Sequence, residues 1–325
     1  MKVRVILAKF LGCSRNTVSI AKDGGASVPA SRSRRALFLA CDTCLARCIL
    51  LLSGLFLLSL ARADTPAPIA QNETPFHVVA FYTGKNDLAH ISFVHEANRW
   101  LPDIARQYNF TYETTDQWTN LNTAFLANYQ VVMFLDTRPE DPAERAAFEQ
   151  YMKAGGGWMG FHFSAFAMND SEVKENWDWY HNEFLGSGEY VSNTWRPTSA
   201  ILRVEDTNFP TTEGLPVTFK SSPNEWYRWK NDLRTNPDID ILLSIDPSSF
   251  PLGTGPKLYE IWHDGYYPVV WSNKKYRMVY FNMGHNDMDY EHHTNKELSY
   301  TLTNQVQDKL LINTLLWLGG RNPHP

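Results

Sequence analysis

His162 follows the apolar run in the stretch Gly155-Gly156-Gly157-Trp158-Met159-Gly160-Phe161-His162-Phe163-Ser164-Ala165. A glycine-rich turn there leads into a short apolar run, and the run ends in small residues. In doubly wound sheets ligands bind beyond the carboxyl ends of the strands, so a polar side chain at that point is presented to a site. An imidazole can carry a proton near neutral pH or bind a metal. His90, just after an earlier apolar run, is a second candidate. His95 is five positions further on, about 140° around a helix, so the two form no local chelate. His292 and His293 are adjacent and diverge. Asp287, Asp289 and Glu291 lie on a polar stretch, and Asp287 is a candidate for reaching a ligand. The aromatic groups around Trp177, Trp179 and Tyr180, and around Trp226, Tyr227 and Trp229, could stack on sugar rings or serve as ordinary packing.

These residues need a scaffold, and hydrophobic patterning supplies one. Phe76–Thr83, Phe110–Thr114, Tyr129–Leu135 and Trp158–Phe161 are short apolar runs of the buried-strand type. Between the first two, apolar residues at Ile91, Val94, Ala97, Leu101, Ile104, Ala105 and Tyr108 follow helical spacing, and Pro102 should bend or split that helix. Asp141-Pro142 opens another helix with an N-cap and Pro at N1, running to the glycines at 155–157. Strand and helix alternate, which predicts a doubly wound, mostly parallel α/β sheet flanked by helices. The second half reads as strands at 200–204, 239–245, 267–271 and 277–282, then a helix over 303–318.

The N-terminus reads as a leader. Cys48–Leu60 is an apolar run of a length suited to a signal peptide, with Arg32, Arg34, Arg35 and Arg47 before it and Ala61-Arg62-Ala63 after it. Cleavage is expected after Ala63, with a linker over 64–75, one domain over 76–320, and export to a periplasmic or extracellular location. No stable membrane insertion is expected after cleavage. Ten of the 30 Lys and Arg and two of the 35 Asp and Glu precede residue 64. The remainder has 20 basic and 33 acidic side chains, a formal net charge of −13. That balance argues against a nucleic-acid partner. All four cysteines (Cys13, Cys41, Cys44 and Cys48) lie in the leader, so the expected mature chain has neither thiolate nor disulfide.

Several motifs together resemble the ThuA-like (trehalose-utilisation) family. They are the Gly155–His162 stretch, Pro210-Thr211-Thr212-Glu213-Gly214-Leu215-Pro216, Asn224-Glu225-Trp226-Tyr227, Pro268-Val269-Val270-Trp271, Tyr276–His285 and Leu315–Gly320. They span about residues 76–320 in the family's order. The resemblance implies the class I glutamine amidotransferase-like, flavodoxin-like fold. It places His162 where that fold has its catalytic cysteine and His285 near its catalytic histidine, which argues against glutamine hydrolysis. Two departures stand out. Asn224 occupies a position where an acid is usual, and Ser192-Asn193-Thr194-Trp195 replaces a His-Pro pair.

The resemblance thereby joins His162, Glu225 and His285 in one candidate catalytic set, with Glu225 63 positions after His162 and 60 before His285. Two imidazoles and a carboxylate suffice for a zinc ion with an open position, or for acid–base work without metal. With His90 they make the candidate metal ligands. Trp177, Trp179, Trp226, Tyr227 and Asp287 are the candidate substrate contacts. The family name points to a small-molecule carbohydrate, processed by hydrolysis, isomerisation or elimination. A non-catalytic sugar-binding module is the rival reading.

Overall fold

A computed structural model describes residues 74–85, 87–168, 177–194, 197–249, 266–285, 287–288 and 297–323. The expected leader, Trp195, Trp262, Asp289, Glu291, His292 and His293 lie outside the described residues. The first half alternates as its patterning predicts. β1 (Phe76–Phe81) is followed by α1 (Leu88–Gln107), β2 (Phe110–Thr115), α2 (Thr123–Leu126), β3 (Val131–Phe134), α3 (Pro142–Lys153) and β4 (Gly157–Phe161). Asp141 caps α3 by accepting from the Ala143 N–H at 2.7 Å, with Pro142 in the first turn. The helix stops where Gly155 takes φ +91°, a conformation costly for any residue with a Cβ. Pro102 does not split α1, which continues as one helix of 20 residues. Its apolar face, from Ala89 through Phe93, Ala97 and Leu101 to Ala105, is buried, and that burial outweighs the backbone bond a proline removes.

The second half adds β5 (Tyr190–Asn193), β6 (Ile201–Val204), β7 (Thr218–Lys220), β8 (Tyr227–Trp229), β9 (Ile239–Ile245), β10 (Pro268–Asn273), β11 (Tyr276–Phe281), β12 (Asp287–Met288), β13 (Glu297–Leu298) and α4 (Gln305–Leu318). Among the described residues, nine strands join in one sheet, in the order β2-β1-β3-β4-β11-β10-β9-β6-β7. The pairs from β2 through β11 are parallel, and those from β11 to β7 antiparallel. The fold is thus a doubly wound α/β sheet with an antiparallel extension. The chain leaves β1 to one side for β2 and returns to the other side for β3, which makes a topological switch point at the carboxyl edge of β1 and β3.

Side-chain alternation divides the core between two faces. Val78, Ala80, Val131, Met133, Met159 and Phe161 pack with Phe93, Ala97 and Leu101 of α1 and Leu311 and Leu315 of α4. Val79, Phe81, Val132, Phe134 and Trp158 pack on the other face with Leu126, Phe148 and Met152. A π-helical turn, Trp179–Phe184, completes this second face. Among the described residues, no helix is long and apolar enough to cross a membrane.

Candidate functional site

The loops at the carboxyl edge bring together residues that lie far apart in sequence. His90 sits in the first turn of α1, and Asp87 caps that helix by accepting from the Ala89 N–H at 2.8 Å. His162 follows the last residue of β4 and opens a 3-10 turn, His162–Ala165. Its φ of +40° lies in the left-handed region that bulky residues avoid. The turn is held from below by the Tyr280 hydroxyl, which donates to the His162 carbonyl at 2.8 Å. Two residues earlier, a Cβ on Gly160 would meet the ring of Trp158 and come within 2.8 Å of the Ser164 hydroxyl, so no larger residue fits the approach.

Glu225 and His285 are positioned as a pair. The Glu225 N–H donates to the His285 carbonyl at 3.1 Å. Next to them, the buried Asn224 side chain accepts from the Gly284 N–H at 3.2 Å and donates to the Ser222 carbonyl at 3.1 Å. A carboxylate could only accept, so the amide at this position is explained by the donor it must supply. Gln307 of α4 ties the same strip down, accepting from the Ser222 N–H at 2.6 Å and donating to the Thr301 carbonyl at 3.0 Å. Asn282, at the end of β11, grips both backbone groups of Tyr227 at 3.2 and 2.9 Å. The Ser192–Thr194 departure has a structural role too: Thr194 accepts from the Trp226 N–H through its hydroxyl and donates to the Trp226 carbonyl, both at 3.1 Å.

The result is a cluster of three imidazoles over one carboxylate. Ring centroids of His90, His162 and His285 are 5.3, 4.6 and 5.1 Å apart, and one nitrogen from each ring lies within 4.8 Å of the others. Glu225 Oε2 accepts from His285 Nδ1 at 2.5 Å and lies 3.3 Å from His162 Nε2. With its proton on Nδ1, His285 carries its lone pair on Nε2. His90 Nε2 and His162 Nδ1 are buried without a hydrogen-bond partner. Buried polar atoms normally find partners, so unpartnered imidazole nitrogens on two neighbouring rings mark a place for a ligand. The donor set fits a divalent metal in chemistry: neutral imidazoles with a carboxylate behind one of them.

Electrostatics favour the neutral form of His90 and His162. Burial, with the neighbouring His285 and His162, holds His90 well below its ordinary 6.5. Burial takes His162 down to about 4, against the opposing pull of Glu225. For Glu225, burial disfavours the charge, but His285 and His162 together outweigh it and hold the carboxyl well below its usual range. In the unfolded chain the histidines titrate near 6.5. From there down to about 4 the unfolded chain binds more protons than the fold, so acid favours unfolding. The metal-free protein should therefore keep its full stability above pH 6.5. Below that it should lose up to about 1.4 kcal/mol per pH unit for each of His90 and His162. Urea midpoints measured from pH 7 to 5 should fall, and His162→Gln should flatten the decline. Identical slopes in both proteins would contradict this account.

The structure distributes the other sequence candidates differently. Tyr227 does border the cluster, its ring centroid 3.8 Å from that of His162. Trp177 and Trp179 do not. Trp177 stacks on Tyr180 at 4.8 Å and meets Phe148 of α3 at 5.9 Å, while Trp179 stacks on Phe184 at 5.0 Å. They cover the second face of the sheet. Trp226 is fully buried in the first face, its indole N–H donating to the Thr198 carbonyl at 2.8 Å. All three pack into the core away from the three histidines, and Trp177 also borders a separate cavity of about 300 Å³ with His181 and Glu189. Asp287 has its backbone in β12, and its side chain lies outside the described residues.

Sequence reading missed the lining beside the cluster. A cavity of about 240 Å³ at the switch point is bordered by Thr83, Lys85, Asp87, His90, Asp136, Arg138 and Phe163. Asp136 shapes its rim, accepting from the Thr83 and Gly84 N–H groups at 2.8 Å each. The signal available was position: residues 83–87 and 136–138 directly follow β1 and β3, where this fold class places ligands.

Fold and geometry define a class: doubly wound α/β proteins with a histidine at the strand-end elbow and further histidines around it. Within that class, the model of the ThuA family, described as trehalose utilisation, matches residues 78–301, and the chain belongs to this family. The chain is similar to a ThuA-like protein of Bacteroides uniformis, with 33% identity over 79% of this chain and 99% of that one, at a TM-score of 0.67. A ThuA-like protein of Parabacteroides merdae shares 17% identity over 77% of this chain and 92% of that one, at a TM-score of 0.49. No curated protein matches the chain.

Proposed function

We propose that His90, His162 and His285 hold a divalent metal, zinc being the first candidate, and that this centre acts on a carbohydrate or oxidised sugar. The observation that carries the reading is the convergence of three imidazole nitrogens within 4.8 Å, two of them buried and without hydrogen bonds. Three protein ligands leave a position open for water or substrate, as catalytic zinc sites do. Glu225 Oε2 already faces both His162 and His285, so its role is to orient those rings and sharpen their basicity rather than to bind the metal itself. When bound, the metal would supply an activated water or polarise a carbonyl. The adjoining cavity offers hydroxyl, carboxylate and guanidinium groups beside the apolar ring of Phe163, a lining suited to a polyhydroxylated ring. The reaction class is hydrolysis, isomerisation or elimination. The family's association with trehalose utilisation supports a sugar substrate.

The test is turnover of plain and oxidised disaccharides by the metal-loaded protein, before and after chelation. Activity lost on stripping and restored by zinc supports the reading. Activity indifferent to chelation contradicts the metal, and sugar binding without turnover favours a binding module.

Export belongs to the same proposal, supported by the apolar run Cys48–Leu60 between arginines and Ala61-Arg62-Ala63. Protein recovered from an extracytoplasmic fraction should begin at Asp64. An intact N-terminus recovered from the cytosol would contradict export.

A further inference from the structure

We infer that Glu96 is a positioning residue of the metal site. It fastens the helix that carries His90 to the strip that carries Glu225 and His285, an inference that rests on the three-histidine reading above. Glu96 lies on α1, beyond His90 on the same helix, and is only 8% exposed. A carboxylate is costly to bury unless donors meet it. Here they do. Glu96 Oε2 accepts from the Thr301 N–H at 3.1 Å and from the Ser299 hydroxyl, and Oε1 accepts from the Leu302 N–H at 3.0 Å. All three donors come from one short segment, 299–302, far from Glu96 in sequence.

The held segment reaches the site by two routes. The Thr301 hydroxyl donates to the Asn224 side-chain oxygen at 3.4 Å, and that oxygen also accepts from the Gly284 N–H at 3.2 Å. The Thr301 carbonyl accepts from Gln307, which accepts in turn from the Ser222 N–H, and Asn224 donates to the Ser222 carbonyl. Asn224 and Gly284 are the chain neighbours of Glu225 and His285. The clamp therefore sets His90 on one side against the Glu225–His285 pair on the other. Distances to a bound metal tolerate only about 0.2 Å, so a shift between the two sides registers in affinity. The pairs of His95 and Arg99 with Glu297 join the same elements, but they are exposed and contribute little by comparison.

Glu96→Gln keeps the size of the side chain but replaces one acceptor with an amide NH₂ that would face a backbone N–H. Thr301→Val keeps the backbone bond to Glu96 and removes only the hydroxyl that reaches Asn224. Met152→Ala, in the core on the other face of the sheet, is the control for general loosening. The metal-free full chain and the three variants would be titrated with Co²⁺, followed by its visible absorption bands, at a temperature where circular dichroism shows each protein folded. The parent should take up one equivalent. Glu96→Gln and Thr301→Val should bind about 3–30-fold more weakly, the range for residues that couple to a site without touching its ligand, and their cobalt bands should shift. Met152→Ala should bind as the parent does. Parent-like affinity and bands in Glu96→Gln would overturn the inference and leave the three-histidine site in place. Should Glu96→Gln not fold, the same result in Thr301→Val would overturn it. Equal weakening in Met152→Ala would overturn it too, since any loss of packing would then act alike. A parent that binds no Co²⁺ would overturn the metal site itself, and this inference with it.

Discussion

Replacing His162 with Ala should weaken metal binding by more than about 100-fold, the upper range for losing a partner behind the ligands. His162 supplies one of three convergent nitrogens, and no other imidazole lies in that cluster among the described residues. Its place is fixed by the left-handed turn at the end of β4 and by the Tyr280 hydroxyl on its carbonyl. The fold should survive. The ring is buried and its Nδ1 has no hydrogen-bond partner, so removing it also removes a desolvation cost of about 1–3 kcal/mol, which offsets part of the cavity and of the lost Glu225 contact. His162→Gly serves as the control for backbone strain, since glycine accepts φ of +40° freely. Competition with a chromophoric chelator reads the affinity. Binding within tenfold of the parent in both variants would remove His162 from the ligand set.

Glu225→Gln should weaken metal binding by about 10–100-fold while leaving the fold intact. The amide keeps the size of the side chain and can still accept from His285 Nδ1, and the backbone bond from residue 225 to the His285 carbonyl is untouched. What disappears is the negative charge that raises the basicity of the two imidazoles facing it. The same competition assay checks it. An unchanged affinity would make Glu225 a packing residue rather than an orienting one.

Much of this was legible from the sequence, and the unevenness has physical causes. The parallel half announces itself because its strands are continuous apolar runs separated by capped helices, as at Asp141-Pro142. The antiparallel half does so less well. β7 and β8 have three residues each and are held by side-chain grips such as Asn282 on Tyr227, which leave no periodicity to read. His162 was visible as the residue ending a glycine-rich strand. Glu225 and His285 were joined to it only through the family resemblance, because nothing local links positions 60 or more apart. The tryptophans lie away from the three histidines. Aromatic residues in irregular segments suggest exposed platforms, but here the π-helical turn at 179–184 folds Trp179 onto the sheet beside Trp177.

The most direct test of the central claim is a zinc titration of the purified, metal-free parent protein, with the His90→Ala, His162→Ala and His285→Ala variants alongside. The three-histidine site predicts one equivalent of tight binding in the parent and its loss in every variant. A parent that takes up no zinc, or variants that bind it as the parent does, would contradict the site.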